Sequence, residues 1–178
     1  MPSEPRIRPG GIREIGPINW AIARVSGLAL KGKPPNVMTT MARNRRLFRP
    51  WLRFNAKMMP RGKLPRRQTE LLILRTAHNC GSDYEWHHHA RMGRAAGLSP
   101  DELERVRQGP EAQGWNPREA AMLRAADELH ADDRISDETW AALSSELSPP
   151  LLIELCLLVG HYSGLAGTLN SLGVQVER

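Results

Sequence analysis

The residues best suited to acid–base chemistry lie in one segment, ELLILRTAHNCGSDYEWHHHARMGRAAGL, which runs from Glu70 to Leu98. The carboxylate of Glu70 lies on an apolar stretch, and a second stretch carries Glu85 and His89. Glu85 and His89 are four residues apart, so they share one face of a helix. Carboxylates and an imidazole set against aliphatic side chains can transfer protons near neutral pH. We therefore predict these three residues as the catalytic site.

Two neighbouring helices must position this trio, and the sequence predicts both. One runs from residue 65 to about 79, and the other runs from 82 to 97, with Gly81 as the break between them. An antiparallel hairpin of the two would return Glu70 toward His89. There a carboxylate can orient the imidazole, while apolar neighbours raise the pKa of a carboxyl so that it can donate a proton.

Some of these residues have structural interpretations that stay open. Ser82 and Glu85 have the spacing of a capping box, in which each side chain accepts a hydrogen bond from the backbone at the start of the helix. His87 and His88 point away from His89 around the helix, so we predict surface or interface roles for them. A lone thiol, Cys80, follows a helix C-terminus, where the dipole opposes a thiolate, and a structural role is expected.

A metal site is a weaker alternative on the same helix. Helical metal sites place ligands three or four residues apart and take a further ligand from elsewhere. The last predicted helix offers two such donors. The whole candidate set is Asp83, Glu85, His87, His89, Glu154 and His161. We predict no metal.

The 178 residues fit one domain, and the pattern over most of the chain predicts an all-α fold. Residues 1–35 are rich in Pro and Gly and are predicted as an irregular N-terminal arm, followed by a helical domain over residues 36–178. Cap-and-proline signals at Ser99, Asn116 and Ser148 each open a further helix, and Ser136 is predicted to cap a short helix that runs through Leu143. The last helix has three glycines at near-helical spacing, which indicates close packing against another helix, within the chain or across a subunit interface.

Charge and cysteine content narrow the function classes. The net charge is +6, and ten basic residues fall between Arg43 and Arg67. This basic patch suits a solvated helix face or a subunit contact, and it could also attract an anionic small substrate. Nucleic acid is not expected as a partner, since no DNA-binding or RNA-binding motif accompanies the patch.

Two cysteines make no disulfide framework, and the sequence lacks a signal-like core and a run of about 20 apolar residues. The cytoplasm is the predicted location, without membrane attachment.

Residues from about 40 to 175 resemble the carboxymuconolactone decarboxylase family, which includes the alkyl hydroperoxidase D-type proteins. The resemblance is strongest over Glu70–Leu98 and weaker over the C-terminal GHYSGLAGTLNSLGV. It implies an all-helical domain that assembles as a homo-oligomer in the cytoplasm. It also implies decarboxylation that needs no cofactor or metal.

The two branches of this family differ at the thiol positions. The peroxidase branch has a glutamate, a Cys-x-x-Cys pair and a histidine. Aligned from Glu70, the cysteine positions fall on Ser82 and Glu85, and the histidine falls on His89. Cys80 lies two residues too early to replace the first cysteine. The Tyr-Glu-Trp-x-x-His pattern therefore resembles the decarboxylase-like branch, in which Glu70, Glu85 and His89 would form the proton relay.

The resemblance implies an enzyme of the carboxy-lyase type that acts on a small organic acid or lactone by acid–base chemistry. Tyr84 and Trp86 flank the central acid and are predicted to line the substrate pocket. Arg75, with Arg67 as a second candidate, is predicted to bind the substrate carboxylate. Two alternatives stay open: a D-type peroxide reductase that uses Cys80, and a non-catalytic oligomeric binding protein that holds a partner on its basic patch.

Overall fold

The structure, a computed structural model, describes residues 4–29, 32–59 and 61–177. These residues contain ten α-helices and no β-strand, which confirms the all-α prediction. The helices are α1 Ile12–Ile15, α2 Pro17–Ala29, α3 Asn36–Met41, α4 Arg45–Met58, α5 Arg66–Asn79, α6 Asp83–Ala95, α7 Pro100–Gln108, α8 Pro117–Ala131, α9 Asp137–Ser144 and α10 Pro149–Leu172.

The chain divides into two compact units. Unit 1 comprises Met1–Lys57 and Thr168–Arg178, and unit 2 comprises Met58–Gly167. The predicted trio lies wholly within unit 2. The sequence-based division into residues 1–35 and 36–178 follows neither boundary, because it was drawn from a change in composition rather than from contacts.

The N-terminal segment was predicted to be irregular, but it contains a helix. Residues 17–29 form a helix of 13 residues, which begins with Pro17 in its first turn, where proline is tolerated. Trp20 and Ile22 pack against a core that includes Ile15 and Phe48, whereas Val25 is 65% exposed. The abundance of Pro and Gly marks the ends of helices here, and the apolar positions between them are sufficient to form the core of unit 1.

The helices of unit 2 begin where side chains cap them. Ser99 and Glu102 form a complete capping box at the start of α7, and the side chain of Asn116 accepts a hydrogen bond from the backbone at the start of α8. Ser136 does the same for α9. Such caps satisfy backbone N–H groups that have no partner within the helix. The capping signals in the sequence therefore predicted these helix starts correctly.

Helices α5 and α6 form the hairpin that positions the candidate site. Gly81 joins them with a φ of 57°, a left-handed conformation that glycine adopts without strain. Side-chain contacts pair the start of α5 with the end of α6, and the end of α5 with the start of α6, as in the pairs Arg66–Met92 and His78–Trp86. The two helices are therefore antiparallel, as the sequence predicted.

Helix α10 is long and apolar enough to cross a membrane by length and composition, a test that core helices of soluble proteins also pass. Only 39% of its apolar window is buried within the chain. A Cβ atom added at Gly160, Gly164 or Gly167 would meet no other atom of the described residues within 4 Å. The expectation that these glycines pack closely on a helix of the same chain is therefore wrong, and packing across a subunit interface stays a prediction.

Candidate active site

The centre of the candidate site is a buried pair formed by Glu70 and His89. Nδ1 of His89 lies 2.8 Å from Oε2 of Glu70. Glu70 has no exposed surface, and His89 is 6% exposed. A hydrogen bond to one ring nitrogen fixes the orientation of an imidazole and leaves the other nitrogen to exchange protons. The antiparallel hairpin thus brings together two of the three predicted catalytic residues.

Tyr162 of α10 contacts this pair. Its ring meets the ring of His89 edge to face, with centroids 5.1 Å apart and planes at 89°. The Tyr162 side chain is 2% exposed, and its hydroxyl lies 3.7 Å from Sδ of Met59. Burial raises the pKa of the phenol, and the charges of Glu70 and, once it has lost its proton, of Glu85 act in the same direction. Tyr162 therefore remains a neutral phenol beside the imidazole.

Arg66 lies one helical turn before Glu70. Its Nη2 is 2.7 Å from Oε1 of Glu70 and 3.6 Å from Sδ of Met92. The carboxylate of Glu70 thus has a cation at one oxygen and the imidazole of His89 at the other. Since both oxygens face positive or hydrogen-bonding groups, the fully buried carboxylate is compensated in its ionised form.

Glu85, the third predicted residue, is buried without the cap that its spacing suggested. Ser82 is the N-cap residue of α6, but its side chain forms no capping hydrogen bond, so the capping-box interpretation is wrong. Neither carboxyl oxygen of Glu85 has a hydrogen bond of regular geometry to any described residue. Burial raises the pKa of Glu85 to about 8, and the nearby Ser82 hydroxyl lowers it only in part. Glu85 is therefore a protonated acid at neutral pH, able to donate.

The predicted substrate-binding residues lie in other surroundings. The Arg75 guanidinium binds Asp127 at 2.5 and 2.8 Å and donates to the carbonyl oxygens of Val106 and Arg107. A substrate carboxylate would have to displace Asp127, so the structure disfavours a binding role for Arg75. Arg67 is similarly engaged with Glu102 and Glu119.

Both aromatic residues next to Glu85 have packing roles. Trp86 packs on the core of unit 2 and carries the guanidinium of Arg107 over its ring at 3.9 Å. Tyr84 is 3% exposed, and its ring lies 4.6 Å from that of His88. A role for either aromatic side chain in binding substrate stays a prediction.

The other histidines of α6 and the possible metal ligands do not converge. His87 is exposed, whereas His88 is half-buried against Tyr84, so the two point in different directions, as expected from their positions on the helix. Within the described ranges, no three His, Cys, Asp or Glu side chains are grouped closely enough to hold a metal ion. The weaker metal hypothesis on Asp83, Glu85, His87 and His89 is therefore not supported by the geometry.

Cys80 caps the C-terminus of α5 and is half-buried. Its Sγ lies 3.6 Å from Nδ1 of His130. Burial raises the pKa of the thiol, a nearby Ser163 side chain lowers it, and the charge of Glu85 raises it. The thiol therefore stays largely protonated near neutral pH, the opposite of what a peroxide-reactive cysteine needs.

The large clefts and the buried ionisable residues lie in different units of the chain. Unit 1 contains clefts of about 720 and 670 Å³, the second lined by apolar side chains such as Phe48 and Trp51. Neither cleft gathers a buried acid and base. We place the candidate site in unit 2, because catalysis depends on positioned ionisable groups rather than on volume.

Sequence reasoning did not assign Arg66 or Tyr162 to the site. A spacing of four residues links Arg66 to Glu70, and this signal could have identified the pair. Tyr162 carries a weaker signal, a polar aromatic residue within an otherwise apolar helix. Only tertiary packing shows that its ring contacts His89.

Comparisons with known proteins agree with this architecture. Residues 45–128 match the sequence model of the Carboxymuconolactone decarboxylase family. This segment contains the α5–α6 hairpin with Glu70, Glu85 and His89. A search of curated proteins finds no match.

Several solved structures share the fold over nearly the whole chain. An uncharacterised peroxidase-related protein from Silicibacter sp. TM1040 has a TM-score of 0.83 at 14% identity, covering 98% of this chain and 95% of that one. A protein with an alkylhydroperoxidase AhpD core from Ralstonia eutropha JMP134 has a TM-score of 0.80 at 19% identity, covering 96% and 93%. Residues 45–128 therefore carry the sequence pattern of the carboxymuconolactone decarboxylase family, and the chain shares the alkyl hydroperoxidase D-like fold.

A third structure of this fold is a debrominase, Bmp8, whose cysteine-to-alanine variant was solved with 2,3,4-tribromopyrrole. It has a TM-score of 0.82 at 16% identity and covers 98% of this chain and 93% of its own. At such identities the likeness shows the fold alone. The family match over residues 45–128 supports an enzyme-like function on small molecules, and the fold by itself does not select the reaction.

Proposed function

We propose that this protein is a carboxymuconolactone decarboxylase-like enzyme of the carboxy-lyase type that acts on a small organic acid or lactone. The observation that carries the proposal is the buried pair of Glu70 and His89, joined at 2.8 Å. A fully buried carboxylate without function would be costly to retain, whereas one that orients a general base has a direct use.

The chain's own residues suffice for a proton-transfer cycle. With Nδ1 of His89 donating to Glu70, Nε2 is the basic nitrogen that exchanges a proton with the substrate. Loss of carbon dioxide from the substrate carboxylate leaves the bonding electron pair as an enolate, whose oxygen accepts a hydrogen bond from protonated Glu85. One proton, taken from water through Nε2 of His89, then bonds to the carbon atom from which carbon dioxide departed. Glu70 holds the imidazole in place throughout.

A substrate screen with matched variants tests this proposal. Purified protein is supplied with a panel of lactone acids, and carbon dioxide release is measured. We expect turnover by the wild type and by Cys80→Ser, and loss of turnover in Glu70→Gln and His89→Ala. A panel on which His89→Ala and Glu85→Gln turn over as fast as the wild type would contradict the proposal.

A second candidate function is peroxide reduction that uses Cys80. The 3.6 Å contact between Cys80 and His130 favours it, because an imidazole can accept the proton of a thiol. The raised pKa of the thiol opposes it. Organic hydroperoxide consumption that requires a thiol reductant and disappears in Cys80→Ser would replace the first proposal with this one.

The non-catalytic alternative rests on the basic patch, much of which has structural partners. Arg43 and Arg45 donate to backbone carbonyls of the N-terminal segment, and Arg49 donates to Asn19. A binding protein would retain a partner in Glu85→Gln and His89→Ala. Nucleic acid binding that falls steeply with salt and survives both substitutions would support this alternative.

We also propose that the protein is a cytoplasmic homo-oligomer, without membrane attachment or nucleic acid. Support comes from the uncovered side of α10, where Ile153 is 60% and Leu157 is 49% exposed. Contiguous exposed apolar residues commonly mark an interface. Sedimentation should show an oligomer that dissociates in Leu157→Glu, and a monomeric wild type would contradict the assembly.

A further inference from the structure

Three arginines lie on α5, and two of them are fully engaged. Arg67 contacts Glu102 and Glu119 and donates to the carbonyl of Gly97. Arg75 forms a two-point pair with Asp127 and two bonds to backbone carbonyls. A guanidinium offers five N–H donors, and these two residues use most of theirs within the protein.

Arg66 differs from both. Its Nη2 contacts Glu70, but Nη1 is buried and has no hydrogen-bond partner among the described residues. The side chain as a whole is 38% exposed, so the guanidinium lies at the boundary between solvent and the buried pair. Buried donors are nearly always hydrogen-bonded in folded proteins, and a missing partner calls for an explanation.

Further unsatisfied polar atoms belong to the same neighbourhood. Both oxygens of Glu85 and the Oγ of Ser82 are buried and lack regular partners in the described part of the chain. Tyr162 lies near enough to Glu85, Glu70 and Arg66 for the charge of each to shift the pKa of its phenol. The unsatisfied groups of Arg66 and Glu85 therefore lie in the region of Tyr162 and the Glu70–His89 pair.

We propose that Nη1 of Arg66 binds the carboxylate of an anionic substrate and so fixes it against His89. This inference rests on the proposed function. It assigns to Arg66 the binding of the substrate carboxylate, a role that the sequence had predicted for Arg75. Because Nη2 contacts Glu70, Nη1 would meet the substrate carboxylate with a charge-assisted hydrogen bond from a single nitrogen. A neutral hydroperoxide would gain little from such a donor.

The charges around Arg66 permit a second carboxylate beside Glu70. Glu70 is balanced by Arg66 on one oxygen and hydrogen-bonded to His89 on the other. Glu85 holds its proton up to a pKa of about 8, so at neutral pH it would donate to the ligand rather than repel it. The site therefore accommodates one additional negative charge below that pH.

Calorimetric binding of a charged and a neutral probe tests the proposal. The probes are paraconate, a five-membered lactone that carries a carboxylate, and its methyl ester. We expect the wild type to bind paraconate and to bind the ester at least about tenfold more weakly. Arg66→Met should lose about tenfold or more in affinity for paraconate, and Arg66→Lys, which keeps the charge but has no second nitrogen to contact Glu70, should lose less.

A matched control separates local from general charge effects. Arg94→Met removes an exposed arginine from α6 and should leave the affinity for paraconate unchanged. Circular dichroism melts confirm that each variant is folded before it is titrated. Equal affinity of the wild type for acid and ester, including no binding of either, overturns the proposal, as does unchanged affinity in Arg66→Met.

The outcome is separable from that of the proposed function. If His89→Ala does not change turnover but Arg66→Met lowers the affinity for paraconate, the proposed acid–base function is wrong and the proposed anion site is supported. If His89→Ala abolishes turnover while Arg66→Met keeps the wild-type KM and paraconate affinity, the anion site fails alone.

Discussion

Helix α5 has two polar faces that differ in how completely their charges are satisfied. On one face, Arg75 and Asp127 meet in a two-point pair that backbone carbonyls and Asn79 complete. On the other, Glu70 contacts Arg66 and His89, while a donor of Arg66 and both oxygens of the nearby Glu85 lack regular partners among the described residues. One helix thus carries a saturated structural cluster and an unsaturated one, and we assign the chemistry to the second.

This contrast follows from what each cluster must do. A structural cluster gains most when every donor and acceptor is paired, since an unpaired buried group costs about 1–3 kcal/mol. A site that binds a ligand must keep some groups available and accept that cost. Substitutions that break one face or the other should therefore have different effects.

The largest effect is expected at the unsaturated face, on turnover. His89→Ala should lower kcat/KM by about 10²–10⁴, the usual contribution of a general base. Glu70→Gln should do the same, and the double variant should be no slower than either single variant, because the two residues act as a unit. His87→Ala is the control, since this exposed neighbour should retain wild-type turnover. If the losses in kcat/KM of the two single variants multiply in the double variant, Glu70 and His89 act independently.

The next effect concerns the stability contributed by a proton on Glu85. Its pKa is about 8 in the folded protein and 4.5 when unfolded, so the folded state holds the proton more tightly. The contribution of Glu85 to stability should therefore be greatest below pH 4.5, fall as the pH rises and level off above 8, by up to roughly 5 kcal/mol. Glu85→Gln should remove this dependence and be more stable than the wild type above pH 8.

Urea denaturation across pH 4–9 measures this profile. Glu104→Gln, which alters a side chain that is 64% exposed, should retain the wild-type slope. A difference in stability between the wild type and Glu85→Gln that does not change across this window would show that Glu85 is ionised in the folded protein throughout.

A smaller effect is expected when the saturated face is broken. Asp127→Ala leaves the Arg75 guanidinium, which is 12% exposed, without its carboxylate, and should cost about 2 kcal/mol in the free energy of unfolding. Glu111→Ala removes a pair with Arg124 whose acid is 79% exposed, and should cost about 0.5 kcal/mol or less. Neither should change the affinity for paraconate. A loss of that affinity in Asp127→Ala would mean that the two faces are coupled.

The smallest effect compares two capping serines. Ser99 accepts a hydrogen bond from the backbone of Glu102, so Ser99→Ala should cost about 1 kcal/mol of stability. Ser82 forms no such bond, and Ser82→Ala should cost less than about 0.5 kcal/mol at pH 5, where Glu85 is protonated. An equal loss of stability in Ser99→Ala and Ser82→Ala would show that Ser82 also caps its helix, α6.

Local signals in the sequence account for most of the helices. Ser99, Asn116 and Ser136 mark helix starts because each side chain satisfies a backbone N–H, and this is readable from a few residues. The same logic failed at Ser82, whose spacing to Glu85 fits a capping box that tertiary burial of Glu85 replaced. It also failed at the N-terminal segment, where Pro and Gly concealed the helix Pro17–Ala29.

The site was predictable only in part. Glu70 and His89 could be paired from the hairpin, because two antiparallel helices and a glycine break determine which turns face each other. The partner of Arg75 could not be read from the sequence, since Asp127 is 52 residues away and on another helix. Long-range pairings of this kind decide which of several arginines remains available to a ligand.

The central claim, that Glu70 fixes His89 for proton transfer, is tested most directly by the ¹⁵N resonances of the His89 ring. We predict an Nδ1–H that is hydrogen-bonded to Glu70, and a change in both ring nitrogen resonances when Glu70→Gln removes the carboxylate. Ring resonances that are the same in the wild type and in Glu70→Gln would contradict the claim.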